Sequence, residues 1–91
     1  MSADSCAELR RRLEVHFADQ TDDEGLLDFL EELMSDPELA LRIKRQLETA
    51  VVKGYPGALD LAENAANRWC EGSDDKARDW LRKILAPLQS P

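Results

Sequence analysis

Residues that commonly carry enzyme chemistry are scarce in this 91-residue chain. It contains one histidine, His16, and two cysteines, Cys6 and Cys70. A structural zinc site requires four ligands at recognisable spacing, which this set does not provide. Cys6 and His16 are separated by about 15 Å along a helix, too far for a nucleophile and its base. We therefore expect a protein that is not an enzyme and that holds no metal and no cofactor.

Glycine is also rare, with four residues, and no glycine-rich phosphate loop or nucleophile-elbow motif is present. Carboxylate pairs are common, but they lie at predicted helix starts or on predicted solvent faces. Nothing there desolvates a carboxyl group, as acid–base catalysis requires. An enzyme that uses Cys70 or His16 is kept as a remote alternative.

Long apolar runs are absent, since no run exceeds three residues. This is far short of a membrane span, and no apolar signal segment follows Met1. The net charge of −7 disfavours binding to nucleic acids and to anionic membranes, because their phosphates would be repelled. We expect a cytoplasmic protein that contacts neither.

Two cysteines are too few for a disulfide scaffold. Cys6 lies at helical spacing from Leu9, and Cys70 follows Trp69. This placement favours burial of both cysteines as small apolar side chains. The alternative is a single bridge between the first and fourth predicted helices.

Apolar residues recur at the helical spacing of about 3.6 residues, and no stretch alternates with period two. The pattern predicts five short helices joined by short connections. We expect an all-α, single-domain bundle over residues 1–91, built as an orthogonal bundle or a short stack of helical hairpins. Residues 1–3 and 89–91 are expected to be frayed.

Start and stop signals set the limits of the predicted helices. Capping boxes begin the first helix at Ser5 and the second at Thr21, and Pro37 begins the third. The fourth is predicted over 56–71, and the fifth ends at Pro87. The residues predicted to face the core are Cys6, Leu9, Leu13, Phe17, Leu26, Leu27, Phe29, Leu30, Leu33, Met34, Leu39, Ile43, Leu47, Ala50, Val51, Ala58, Leu59, Leu61, Ala62, Ala65, Ala66, Trp69, Ala77, Trp80, Leu81, Ile84, Leu85 and Leu88.

Lysine and arginine are missing from residues 13–41, which contain ten carboxylates. Residues 21–36 alone sum to −7, equal to the net charge of the chain. Placing residues every 100° brings Glu24, Asp28, Glu31 and Glu32 within about a third of the circumference of the second helix. The sequence therefore predicts an acidic outer face on this helix.

Like charges four residues apart destabilise a helix by a few tenths of a kcal/mol per pair. A sequence selected only for folding could have placed lysines between these carboxylates. The favoured interpretation of the clustering is an ordinary solvated face, partly balanced by Arg42, Lys44 and Arg45 of the next helix. The alternative, on which the functional hypothesis below depends, is a docking surface for a basic partner, where complementary charge speeds association.

The fifth predicted helix carries Trp80 among basic residues and offers a second candidate surface. Trp80 and Trp69 both lie at the edges of predicted apolar stripes, so core packing is favoured for each. An exposed tryptophan, in contrast, commonly anchors an interface. We therefore retain Trp80 as a candidate partner-binding residue.

Together these patterns predict a small acidic regulator, inhibitor or adaptor that docks a larger protein with a basic surface. The residues expected to make contact are Glu24, Asp28, Glu31, Glu32 and Trp80. The alternative is a structural subunit or a secretion-type helper or chaperone whose core is completed by another chain. That chain could be a second copy, giving a homo-oligomer.

Overall fold

Five helices make up most of the computed structural model, which describes residues 6–52, 55 and 57–89. In chain order they are α1 (Ala7–His16), α2 (Asp22–Met34), α3 (Pro37–Ala50), α4 (Ala58–Asp60) and α5 (Asp74–Gln89). The short α4 continues directly into a π-helical turn, Leu61–Ala65. No strand occurs in these ranges, and the all-α prediction is confirmed.

One buried apolar cluster joins all of these helices. The stripe predicted for α1 is confirmed, since Cys6, Leu9, Leu13 and Phe17 are all buried. α3 likewise buries the leucines and isoleucine at four-residue spacing that its pattern predicts. α3 packs against both α2 and α5, and α1 packs against α2, α3 and the π-helical turn. α3 therefore connects α2 and α5, the two helices that border the candidate site.

Side-chain caps fix where α2 and α3 begin. The Thr21 hydroxyl accepts a hydrogen bond from the Glu24 backbone N–H at 3.3 Å, as the capping box predicts. The Asp36 carboxylate accepts from the Leu39 N–H at 3.2 Å, and Pro37 occupies the first helical position. The predicted cap at Ser5 lies outside the described residues.

α2 buries a narrower stripe than its sequence predicts. Gly25, Phe29 and Leu33 are buried, whereas Leu27 is 63% exposed and Met34 is 81% exposed. The prediction that Leu27 and Met34 face the core is therefore wrong. The physical reason is that α2 makes its main helix–helix contacts with α1 and α3, so the outer edge of its broad apolar stripe remains exposed.

The fourth predicted helix is also shorter than expected, ending at Ala65 instead of residue 71. The backbone turns left-handed at Asn67 (φ 58°), which no α-helix can continue through, and asparagine tolerates that conformation well. The Arg68 guanidinium donates to the carbonyls of Phe17 and Gln20 at 3.0 and 2.6 Å. These long-range hydrogen bonds fix the non-helical backbone around Arg68, which helix periodicity alone does not predict.

α5, in contrast, runs past its predicted end. Pro87 lies inside the helix, which continues to Gln89. Because proline lacks an N–H, it removes an intrahelical hydrogen bond when it lies beyond the first turn of a helix. Here it falls in the last turn and faces solvent, so only the final residues depend on the lost bond.

The two cysteines are both buried thiols, as their apolar neighbours predict, and the alternative of a bridge between them is not realised. The Cys6 thiol donates to the Gln46 carbonyl, and the Cys70 thiol donates to the Arg68 carbonyl, each at 3.5 Å. Burial raises the pKa of the Cys70 thiol, and the nearby Glu63 carboxylate adds to this. Cys70 is therefore held as a neutral thiol.

Candidate functional site

Three of the carboxylates singled out in the sequence lie together on the exposed side of α2. Glu24, Asp28 and Glu31 are all exposed, and the helical period places them on one side of the rod. We refer to these three residues as the acidic surface. α2 has carboxylates in its first turn but no basic residue in its last turn.

The acidic surface makes only light contact with the rest of the protein. Glu24 accepts a hydrogen bond from the Thr21 hydroxyl at 3.1 Å, and Asp28 accepts one from the Gln20 amide at 2.9 Å. Within residues 6–52, 55 and 57–89, no cationic side chain lies within 4.0 Å of these three carboxylates. Their charge is therefore presented to solvent.

Glu32, the fourth candidate on this helix, points to α1 and is half-buried. Its carboxylate accepts from Arg12 Nη1 at 2.7 Å and lies 2.6 Å from His16 Nε2. The His16 ring also packs edge-on against Phe29, with 6.0 Å between ring centres. Glu32 thus joins α2 to α1 and does not belong to the acidic surface.

Seven lysine and arginine side chains of the described residues form ion pairs with other carboxylates. Arg42, which the sequence offered as a partial balance for α2, donates to Glu8 of α1 from Nε and Nη2 at 3.0 Å each. The other cations with a carboxylate partner in the described chain are Arg10, Arg12, Arg68, Lys76, Arg78 and Arg82. None of these pairs involves Glu24, Asp28 or Glu31, so the acidic surface has no ion-pair partner among the described residues.

Trp80 belongs to α5 and lies near the N-terminal end of α2. Glu31 lies near the opposite, C-terminal end of α2. The Trp80 indole N–H donates to the Asp22 carboxylate at 3.2 Å, and Arg68 Nε donates to the same oxygen at 2.5 Å. The half-buried indole packs edge-on against Phe17, with 5.2 Å between ring centres. Burial alone would raise the pKa of Asp22, but the hydrogen bonds from Arg68 and Trp80 outweigh it, and the pKa is lowered.

Trp80 and Trp69 line a groove of about 410 Å³ together with Asp22, Arg68, Lys76 and Lys83. Core packing was predicted for Trp69, and this is wrong, because its side chain is 83% exposed. The chain leaves the helical path at Asn67 and turns left-handed again at Glu71. The Glu63 carboxylate accepts from the backbone N–H of Cys70 at 3.0 Å, which holds this segment with Trp69 outward.

A second groove, of about 380 Å³, borders the acidic surface. The residues that line it all have apolar side chains: Leu30, Leu33 and Met34 from α2, Pro37 and Ala40 from α3, and Pro87 and Leu88 from α5. We call it the apolar groove. The sequence pattern does not indicate this groove, because it places the apolar α2 side chains in the core. The width of the α2 stripe, about half the circumference, was the available signal that part of it would stay exposed.

Across the described ranges, no group of three or more histidine, cysteine, aspartate or glutamate side chains is placed to bind a metal ion. No helix among the same residues has both the length and the apolar character needed to cross a membrane.

No protein-family model, curated protein or solved structure matches this chain. The binding properties of the exposed side of α2 are therefore inferred from its own residues. This side presents carboxylates and apolar side chains next to each other, a combination suited to holding a ligand that is both cationic and apolar.

Proposed function

We propose that this protein is a small, non-enzymatic binding protein that docks a larger partner through the exposed side of α2. The observation that carries the proposal is the acidic surface, whose three exposed carboxylates form no ion pair with any described residue. It lies next to the exposed side chains of Leu27 and Met34. A regulator, inhibitor or adaptor would use such a surface to recognise a partner with a basic patch.

The charge would act mainly on the rate and selectivity of association. A patch of one sign attracts a partner of the opposite sign before contact, and it repels acidic competitors. Salt screens this attraction over about 10 Å at 0.1 M ionic strength. Binding through the acidic surface is therefore expected to weaken as salt is added.

The apolar side chains would supply the lasting contact. Complete burial of a leucine or methionine side chain contributes about 1.5–3 kcal/mol, and Leu27 and Met34 expose most of their surface. Exposed apolar residues beside charged ones are common where proteins bind other proteins. The carboxylates of α2 thus speed the first encounter with the partner, and its exposed apolar side chains hold the complex together.

A structural subunit or secretion-type helper is the second candidate, and the exposed Trp69 favours it. Tryptophan is enriched among residues that dominate interface energies. Such a subunit would bury Trp69 against its partner chain, so Trp69→Ala would abolish assembly while charge reversal on α2 would leave it intact.

Charge reversal on α2 tests the leading proposal. Asp28→Lys combined with Glu31→Lys should abolish crosslinking of the partner in lysate at about 0.05 M salt, while the wild-type protein loses this crosslink only at about 0.5 M salt. Glu14→Lys with Glu48→Lys is the matched control, because these exposed carboxylates lie on α1 and α3.

The two double variants carry the same net charge, so a general charge effect would act on both equally. The partner should be recovered by the control and lost by the α2 variant. Equal recovery by both would remove the acidic surface from the binding site and overturn the proposal.

A further inference from the structure

We infer that the apolar groove takes an amphipathic helix of the partner whose polar side carries lysine or arginine. This inference rests on the proposed function and specifies the chemistry of the partner segment. It follows from the shape of the groove, the charge around it and the secondary structure that borders it.

The groove forms where three helix ends meet. α2 ends at Met34, α3 begins at Pro37 and α5 ends shortly after Leu88, so its walls come from three separate elements. Leu33 at its floor is buried, and Leu30 and Leu88 are half-buried. Its volume of about 380 Å³ is at the small end of the range of about 300–1,000 Å³ typical of ligand pockets.

The charges next to the groove in the sequence are negative at the end of α2 and the start of α3, whereas Lys44 and Lys83 lie one turn beyond its α3 and α5 walls. Glu31, Asp36 and Glu38 are exposed and stand next to groove residues in the sequence, and residues 13–41 contain no lysine or arginine. The first cation of α3, Arg42, is engaged with Glu8. A partner segment seated in the groove would therefore meet carboxylates on its polar flank.

A helix fits this setting better than an extended strand. Strands bind by adding to a sheet edge, and the described residues form no sheet. On α2, Leu27, Leu30 and Met34 are three and four residues apart and line one side. A helix laid against this row would use apolar residues at i, i+3, i+4 and i+7, the standard pattern for helix-in-groove recognition.

A second copy of the chain is a poorer occupant. A two-fold contact through this groove would place the carboxylates of one copy against those of the other, and each chain has a net charge of −7. Like charges that face each other across an interface disfavour association. Charge complementarity therefore selects a basic partner.

Three fluorescent fourteen-residue peptides test the inference. The first has leucine at i, i+3, i+4, i+7 and i+11 with lysine and alanine elsewhere, the second has glutamate in place of lysine, and the third has the first composition with its leucines dispersed around the helix. Anisotropy should show binding of the first peptide alone, and that binding should weaken with salt.

Met34 provides a direct readout. The chain has two methionines, Met1 and Met34, so ¹³C-methyl labelling gives one resonance from the groove. The first peptide should shift this resonance in proportion to the bound fraction. Binding without a shift, or no binding at about 1 mM peptide, would overturn the inference.

Two variants separate the groove from the acidic surface. Met34→Lys should weaken binding of the first peptide at least about tenfold, because an ammonium group replaces an apolar contact. The matched control is Val15→Lys, since Val15 is 58% exposed on α1, outside the groove, and it should bind like the wild type. Met34 is exposed, so the variant keeps the fold.

The pattern of losses distinguishes the inference from the proposed function. If Asp28→Lys with Glu31→Lys abolishes binding and Met34→Lys does not, the acidic surface binds and the groove does not, which overturns this inference alone. Binding that resists both variants contradicts both proposals. A Met34 shift on raising protein concentration without peptide would identify a second copy as the occupant and also overturn the inference.

Discussion

Gly25, in the first turn of α2, permits the close approach of α1 to α2. A Cβ atom at this position would lie 2.7 Å from the His16 carbonyl oxygen and 2.7 Å from Cδ1 of Phe17. Neither group can move easily, because one is backbone and the Phe17 side chain is buried in the core. From sequence alone Gly25 appears as a weakness in the helix, worth about 1 kcal/mol against alanine.

Gly25→Ala should therefore destabilise the protein, although alanine is the better helix former. Overpacking typically costs about 1–3 kcal/mol, which exceeds the gain in helix propensity. We expect a lower midpoint of urea unfolding, followed by circular dichroism. Gly72→Asn is the control, since a Cβ there meets nothing within 4 Å and asparagine tolerates the φ of 72°. A stabilised Gly25→Ala protein would contradict this packing.

Individual buried residues could be predicted well where a stripe is narrow. Leu9, Leu13 and Phe17 follow one helical period, and all are buried. Leu27 and Trp69 could not be assigned in the same way, because their exposure depends on which neighbour covers each edge. Periodicity defines a side of a helix, whereas burial requires a partner for that side.

At the scale of one helix, α2 has carboxylates both at its N-terminal end, where the helix dipole favours them, and near its C-terminal end, where it does not. Carboxylates near a helix N-terminus are stabilising, and those near the C-terminus are destabilising. Asp23 occupies the first turn, but Glu31 lies near the other end, where no basic residue follows. Folding stability alone gives no reason for Glu31, which agrees with a role in binding.

Glu31→Lys should therefore stabilise the protein by about 0.3–1 kcal/mol, since it places a cation near the helix C-terminus. The expected result is a higher melting temperature at low ionic strength, with less difference at high salt. Asp23→Lys, the matched reversal in the first turn, should lower the melting temperature. If Glu31→Lys proves destabilising, its carboxylate contributes to the fold, and the inference of a binding role loses this support.

Helix starts were predictable because caps are local, as Thr21 and its bond to Glu24 show. The end of the fourth helix was not, since the bonds of Arg68 to Phe17 and Gln20 join residues far apart in the sequence. A local pattern cannot reveal a carbonyl that another helix supplies.

At the scale of the whole molecule, Asp22 connects distant parts of the chain. Its carboxylate accepts from Arg68, in the segment before α5, and from Trp80 of α5. The Arg68 guanidinium carbon lies 5.8 Å from the ring centres of Phe17 and of Trp80. Protonation of one carboxylate would thus weaken contacts among α1, α2 and α5.

Asp22 should make the fold more sensitive to acid. Its pKa in the folded protein is lowered from the ordinary value of 3.8, so its stabilising effect is complete above that value. The effect is lost as the pH falls through the lower folded pKa. Asp22→Asn should therefore flatten the decline of unfolding free energy between about pH 5 and pH 2.

Urea unfolding at several pH values measures this slope. The effect should be modest, because the Asp22 side chain is 60% exposed and water screens the interaction. Glu48→Gln controls for the loss of one negative charge from a solvent-exposed position. An identical slope for Asp22→Asn and the wild type would contradict the role given to this carboxylate.

The all-α architecture was predictable as a whole, and so was the concentration of charge on α2. The apolar groove was not, because it depends on where α3 begins and α5 ends relative to Met34. Such a feature arises only when three helices are placed in space. The acidic half of the candidate site could thus be predicted from the sequence, whereas the apolar half required the structure.

The two buried thiols have a practical consequence for labelling. Because Cys6 and Cys70 are inside the core and the pKa of Cys70 is raised, maleimide reagents should attack them slowly near neutral pH. A cysteine introduced at an exposed position such as Glu48 would react first. Spin labels or dyes can thus be attached at a chosen point while the natural cysteines stay in place.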